Sequence, residues 1–414
     1  MHPAYLYNCI FNIVHMWKRL NMPSSIARTG GVPTDKKVIY AIAIVAIVVT
    51  ASAAVLYVLA NQNKEPGQKY PVYFTTMPVS SMKGSLASGG IDGFIAWEPF
   101  GSEAIDEDVG VALEWSSEIM PNHPCCVVAA STDYLSKDLG GGLQGSDITL
   151  RFVKAHVETT KWMVDALAHK DGANYTLLVN LGMQFTSKSQ AIVTSALNHL
   201  KYGYQMDDVF MDGITNFTEM FINGGVITPD KLALGGYSNV TDFVNKYANQ
   251  TFLNAQSTVQ PSDSILNPSD PVRIGFLKAD IHELAQWVAQ NKTAGGGAKS
   301  FFEKYGVNVA NASSTGGYSS GPEEMDKFAA GDVDIGYLGC APAIQKHLNA
   351  QVHTVMVAQA NSEGSAIIVK VGSGITSIDD LQNKTIAVPS TGSIQYVLLK
   401  AAVEDAGLQL QLKT

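Results

Sequence analysis

The chain has 414 residues, 46% hydrophobic and 16% charged, with 28 Lys plus Arg against 37 Asp plus Glu and four Cys. These values exclude a disordered tail, a collagen-like fibre and a disulfide-stapled mini-domain, and the length allows two or three compact units. Five of the basic side chains and one acid fall within residues 1–60, so the remainder carries 23 against 36, a net charge of −13. Such an acidic body is a poor partner for nucleic acid, which is held by clustered Lys and Arg, but it leaves room for a small anion in a local pocket.

Residues 38–60, VIYAIAIVAIVVTASAAVLYVLA, contain no charge and predict a membrane-spanning helix. Lys18, Arg19, Arg28, Lys36 and Lys37 precede it against Asp35 alone, so residues 1–37 are expected in the cytoplasm and everything beyond residue 60 outside. A cleaved signal peptide would have a shorter apolar core nearer the start, so a retained single-pass anchor in the cell membrane is the expectation. Residues 61–70 form a polar stalk. Seven Asn-x-Ser/Thr triplets follow, at Asn174, Asn216, Asn239, Asn249, Asn291, Asn311 and Asn383, where an external domain would meet glycosylation machinery.

Short apolar runs predict strands at 71–74, 91–97 and 125–130, and three-to-four-residue apolar spacing predicts helices near 80–88, 148–168, 186–201, 205–222 and 241–253. Residues 254–272 are polar and hold Pro261, Pro268 and Pro271, which marks a linker. Beyond it, strands are expected at 274–277, 307–309, 333–337, 352–358, 366–371 and 385–388, with helices near 281–290, 322–330 and 393–406. Strands alternating with helices mean an α/β architecture with mainly parallel sheets.

Ligand-binding chemistry is expected where strands give way to helices. Pro389-Ser390-Thr391-Gly392-Ser393-Ile394-Gln395 places hydroxyls and unpaired amides at a helix start, which suits an anion or polar head as well as plain capping. Gly339-Cys340-Ala341-Pro342 repeats that geometry, and Trp97-Glu98-Pro99 ends another strand with an aromatic platform and a carboxylate. His282 follows Lys278 and Asp280. The adjacent thiols of Cys125 and Cys126, next to His123 and Pro124, lack the two-to-four-residue spacing of a zinc knuckle, so no metal ligand set and no cofactor is expected. They read either as two buried thiols or as a strained vicinal disulfide. The sequence contains no G-x-S-x-G elbow, phosphate loop or H-E-x-x-H helix, so binding leads over catalysis.

Together, Ile274–Leu277, Phe302–Val309, Gly321–Met325, Asp334–Pro342, Glu363–Ala366, Lys384–Gln395, Met77–Met82, Ile91–Phe100 and Pro121–Cys126 carry a resemblance that covers nearly all of residues 71–414. The external chain resembles the substrate-binding proteins of nitrate/sulfonate/taurine-type ABC importers. The order departs from that family: the segment 273–414 would normally precede 71–253, which looks like a circular permutation with 254–272 bridging the former termini. The resemblance implies a two-lobed, type II periplasmic-binding-protein-like α/β fold behind the membrane helix. One lobe would combine 273–365 with 123–253, and the other 366–414 with 71–122.

Carried over by motif, Lys278, Asp280, His282, Gly339, Cys340, Ala341, Glu363 and Ser365 would line one wall of a cleft. Thr391, Gly392, Ser393, Gln395, Trp97, Glu98 and His123 would face them. The implied function is capture of nitrate, a sulfonate, bicarbonate or another small solute, passed to an ABC permease and its ATPase. Two other classes fit the same resemblance: a ligand-binding sensor, and a pyrimidine-precursor-synthase-like enzyme using His and Cys.

Overall fold

Runs of β-branched and small apolar residues form the central strands, and the continuous burial of several of them marks sheets covered on both faces. The computed structural model describes residues 69–413, so the expected membrane span at 38–60 lies outside the described residues. Among the described residues, no helix is long and apolar enough to cross a membrane.

In chain order the strands are β1 (Val72–Thr76), β2 (Gly93–Trp97), β3 (Gly110–Trp115), β4 (Cys126–Ser131), β5 (Asp138–Gly140), β6 (Leu143–Gln144), β7 (Leu200–Tyr202) and β8 (Val272–Gly275). They continue as β9 (Val309–Asn311), β10 (Ile335–Gly339), β11 (Thr354–Gln359), β12 (Asn361–Glu363), β13 (Ser365–Lys370), β14 (Thr385–Val388) and β15 (Leu410–Leu412). One sheet has six strands in the order β15-β1-β14-β2-β13-β3, and a second has five in the order β11-β4-β10-β8-β9. Residues near both ends of the described chain thus share one sheet: Val72 pairs with Leu410 and Tyr73 with Thr385.

The sheets are mixed rather than mainly parallel. β1, β14 and β2 run parallel, as do β10, β8 and β9. β4 is antiparallel to β10 and β11, and β13 to β2 and β3. β4 and β13 are each the first strand after the chain crosses between the sheets, so each enters its new sheet from the opposite end.

Helix boundaries differ from the periodicity where a cap intervenes. The stretch expected as one helix over 186–201 contains the end of the Ala173–Thr186 helix, Ser187 in the left-handed region, and a new helix Gln190–Ala196. Ser189 starts the second piece by accepting a hydrogen bond from the Ile192 amide. Residues 259–271 of the expected linker are irregular but tied down: Asn267 is buried, accepts from the Asn308 amide and donates to the Asn308 carbonyl.

The stretches 116–125 and 360–364 carry the chain between the sheets, and they are hydrogen-bonded to each other. Cys125 donates its amide to the Asn361 carbonyl (3.1 Å), Glu363 to the His123 carbonyl (3.2 Å), and Ala360 to the Cys126 carbonyl (2.9 Å). Paired crossovers of this kind can bend as a hinge while both sheets stay rigid. Gly364 sits where they meet β13, with φ of 83°, and a Cβ there would lie 2.2 Å from the His282 Nε2. Both the backbone conformation and the close approach demand glycine. Gly364→Ala should lower the unfolding free energy by about 2 kcal/mol or more. Urea unfolding measures this, and a wild-type midpoint would show that the contact is not binding on the fold.

Candidate functional site

A cavity of ≈ 30 Å³ lies between the two sheets. Trp97 at the end of β2, with Ser390, Ser393 and Gln395 after β14, lines it from the six-stranded side. Cys125 and Cys126 at the start of β4, Asp280 after β8 and Gly339 at the end of β10 line it from the other. The volume holds roughly two waters, so the two walls lie close together.

Three helices begin at this cavity: α1 (Gly321–Ala329), α2 (Cys340–Ala350) and α3 (Ile394–Asp405). Their N-cap residues, Ser320, Gly339 and Ser393, all belong to its lining. Ser320 and Ser393 cap their own helices by accepting from the Glu323 and Tyr396 amides, whereas Gly339 offers no side chain to cap α2. Few N–H groups are left over, because Pro322 and Pro342 have none, the Cys340 amide donates to the Cys125 carbonyl (2.8 Å) and the caps take the Glu323 and Tyr396 amides. Each start therefore contributes chiefly the positive end of its helix dipole to the same small volume, which favours negative charge.

Of the residues expected on the walls, Trp97, Asp280, Gly339, Ser393 and Gln395 line the cavity. The Trp97 Nε1 is buried without a hydrogen-bond partner, while Gln395 donates to the buried Ser365 Oγ (3.0 Å). Gly392 is buried because the Gln345 amide occupies the space a Cβ would take. Cys340 and Ala341 are buried in the first turn of α2, and the Cys340 thiol points to the Pro124 carbonyl (3.6 Å). Lys278 and Thr391 are exposed and outside the lining.

Glu98 and Glu363 are buried but engaged elsewhere. Glu98 accepts from the Ser102 amide (2.9 Å), the Ser102 hydroxyl (2.7 Å) and the His199 Nδ1 (2.7 Å). His199 stacks on Trp115, and the Ser102 and Ser195 hydroxyls are 2.9 Å apart, so this network ties the helix Phe100–Asp106 to the helix Gln190–Ala196. Glu363 accepts from the Asn122 amide (2.8 Å) and Lys201 (2.9 Å). His123 is buried beside the cavity, with Nδ1 near the Pro124 carbonyl and Nε2 unpartnered, and burial lowers its pKa.

Sequence reasoning missed Cys125, Cys126 and Ser320 as lining residues, and read Ser390 only as part of the 389–395 turn. The thiol pair was visible and was set aside on spacing. Ser320 with Gly321-Pro322 carried the signature of a helix start and nothing more. Both thiols are free and buried, with sulfurs 4.0 Å apart.

Beneath the cavity is a cluster of buried ionisable groups. The His282 Nε2 is 3.0 Å from the Glu363 carbonyl, which can only accept, so Nε2 carries a proton. Nδ1 is 2.8 Å from the Asp280 Oδ1, so a further proton is held between ring and carboxylate. Burial alone would depress His282, but the negative charges of Cys125 and Asp280 and hydrogen bonds to both push it well above the usual 6.5. The contact with Cys126, together with His282 and His123, brings Cys125 well below the ordinary thiol value against the opposing cost of burial. Burial, aided by Cys125 and nearby carboxylates, drives Cys126 the other way.

Burial also raises Glu283 and Glu324 well above 4.5, reinforced by Asp280 in both cases. Neither Glu324 oxygen has a hydrogen-bond partner, and the carboxyl fits only because residues 275 and 336 are glycines: a Cβ at either would lie within 2.5 Å of its Oε1. Folded Glu324 therefore keeps a proton that the unfolded chain releases near 4.5, so its contribution to stability is full below that pH and is lost as pH rises. Glu324→Gln removes this loss. Its stability relative to wild type should increase from about pH 4 to about pH 8 in urea unfolding; a difference independent of pH would contradict the assignment.

The chain matches the NMT1-like family over residues 25–177, and the family described as "ABC transporter, phosphonate, periplasmic substrate-binding protein" over residues 318–412. It is 29% identical over 140 residues to "Putative binding protein BAB2_1146" of Brucella abortus (strain 2308), and equally so to the similarly titled BRA1186/BS1330_II1177 of Brucella suis biovar 1 (strain 1330). Those alignments cover 34% of this chain and 39% of each relative, so the chain matches well under half the length of these curated proteins. No solved structure matches it significantly. The mixed α/β fold is consistent with a periplasmic-binding-protein-like architecture, and these partial matches are to substrate-binding proteins of the ABC-transporter kind. The same matches support a binding role rather than an enzymatic one.

Proposed function

We propose that the chain is the membrane-anchored, extracellular receptor of an ABC importer and that its solute is a small oxyanion such as nitrate, a sulfonate, a phosphonate or bicarbonate. The observation that carries the anion reading is the convergence of the starts of α1, α2 and α3 on one cavity. A helix start contributes about 0.3–1 kcal/mol toward a nearby negative charge and up to about 2 kcal/mol when partly buried. Asp280 on the same lining opposes an anion, but its charge is compensated by the proton shared with His282. All three helices fall within residues 318–412, the stretch matched by the phosphonate-binding family.

In this reading 273–365 with 123–253 and 366–414 with 71–122 act as two lobes of a circularly permuted receptor. They open about the paired crossovers to admit solute and close to exclude water. The 38–60 helix holds the receptor at the membrane, where an ABC permease and its cytoplasmic ATPase take up the released solute. Trp97 supplies an apolar platform, Ser390 and Ser393 supply hydroxyls, and Gln395 supplies an amide from one wall. The positive ends of α1 and α2, with the Gly321 and Ala341 amides, supply the other.

Heat-shift screening and calorimetry of the full chain against nitrate, taurine, methylphosphonate and bicarbonate test this. Binding of one of them is expected, and Trp97→Ala and Ser393→Ala should each weaken it by about tenfold or more, equivalent to about 1.4 kcal/mol. Loss of the Ser393 cap should cost stability by about 1 kcal/mol. Binding of a neutral aromatic or a cation with no response to any anion would overturn the anion reading, and unchanged affinity in both variants would remove these residues from the pocket.

A further inference from the structure

Three buried donors from two distant parts of the chain meet at the floor of the cavity. Ligating atoms of Cys126, Asp280 and Glu283 all lie within 4.8 Å of one another, and Cys126 and Asp280 also line the cavity. Adjacent cysteines have the wrong spacing for a zinc knuckle, but here only one cysteine belongs to the set, and the carboxylates arrive from the turn after β8.

Each donor retains capacity. Both hydrogen bonds that Asp280 accepts, from the His282 amide and the His282 Nδ1, fall on Oδ1 and leave Oδ2 for a further partner. Glu283 accepts from the Leu277 amide through Oε2, while its Oε1 is completely buried and has no partner. A buried carboxylate with an unpartnered oxygen, grouped with a second carboxylate and a thiol, is costly in a dry interior unless protons or a cation compensate it.

We propose that Cys126, Asp280 and Glu283 form a binding site for a divalent transition metal of the zinc class, with its remaining coordination position open to the cavity. One thiolate and two carboxylates make a mixed donor set that suits Zn²⁺ or Co²⁺ better than Mg²⁺ or Ca²⁺, which favour oxygen alone. Metal–sulfur and metal–oxygen bonds of about 2.3 and 2.0–2.2 Å require donors about 3.5 Å apart in a tetrahedral site. Donors as far as 4.8 Å apart would draw in by about 1 Å to reach that spacing.

The surroundings already hold the donors in place. His282 fixes Asp280, and the Leu277 amide fixes Glu283, as outer-shell partners do in metal sites. An anion bound at the starts of α1, α2 and α3 would then lie beside the metal's open position.

The test is titration of the full chain, freed of metal and kept reduced, with Co²⁺ followed by Zn²⁺. One equivalent of Co²⁺ should bind with a thiolate-to-cobalt charge-transfer band in the near ultraviolet, and Zn²⁺ should abolish that band. Cys126→Ser should lose the band, whereas Cys125→Ser should keep it. Glu283→Gln retains an acceptor for the Leu277 amide, so it should melt cooperatively, keep the band and bind at least about tenfold more weakly. This variant decides the matter if Cys126→Ser does not fold. Absence of stoichiometric binding, wild-type affinity in Glu283→Gln, or loss of the band in Cys125→Ser instead of Cys126→Ser would overturn the proposal. Anion calorimetry with and without Zn²⁺ separates the two readings. Anion binding without metal binding leaves the receptor standing and removes the metal, while metal binding without any anion response does the reverse.

Discussion

The cleft depends on the hydrogen-bonded pairing of the two crossover stretches, 116–125 and 360–364. Because the chain passes between the sheets there, Trp97 and the 389–395 turn are brought to face Cys125, Cys126, Asp280 and Gly339. The same pairing delivers the Glu363 carbonyl to His282, and Gly364 leaves space for that ring. Crossovers, cavity wall and buried charge cluster are therefore one piece of structure. A disturbance of the crossovers would be felt in the protonation of His282 and Asp280 as well as in the angle between the sheets.

Two electrostatic patterns share the cavity. Helix starts surround it with partial positive charge, while beneath it burial pushes Cys126, Glu283 and Glu324 toward their protonated forms. A small anion is favoured by the first pattern and tolerated by the second because the acids do not all ionise. A cation on the floor would relieve the second and strengthen the first. Neither pattern needs reaction chemistry, and a cavity walled from two sheets is suited to holding a solute.

Local grammar was legible in the sequence. The turns 389–395 and 339–342 were readable as ligand walls because Gly, Ser and Pro at a strand-to-helix junction act within a few residues of each other. Convergence from afar was not. Glu98 follows Trp97 at the end of β2, yet it turns into a network with Ser102 and His199, a partner about a hundred residues away in sequence that no spacing could indicate. Cys126 was judged by its distance along the chain to other cysteines, whereas its neighbours in space are Asp280 and Glu283. The strand β3 and the helix Phe100–Asp106 went unread because a short mixed segment has too few apolar repeats to declare a period.

The central claim is that residues from both sheets grip one solute together. Hydrogen exchange of the full chain, with and without a saturating anion established by calorimetry, addresses it most directly. The account predicts simultaneous slowing at residues 389–395 on one wall and at 320–322 and 339–342 on the other. Protection confined to a single wall, or absent from both while the anion is bound, would contradict it.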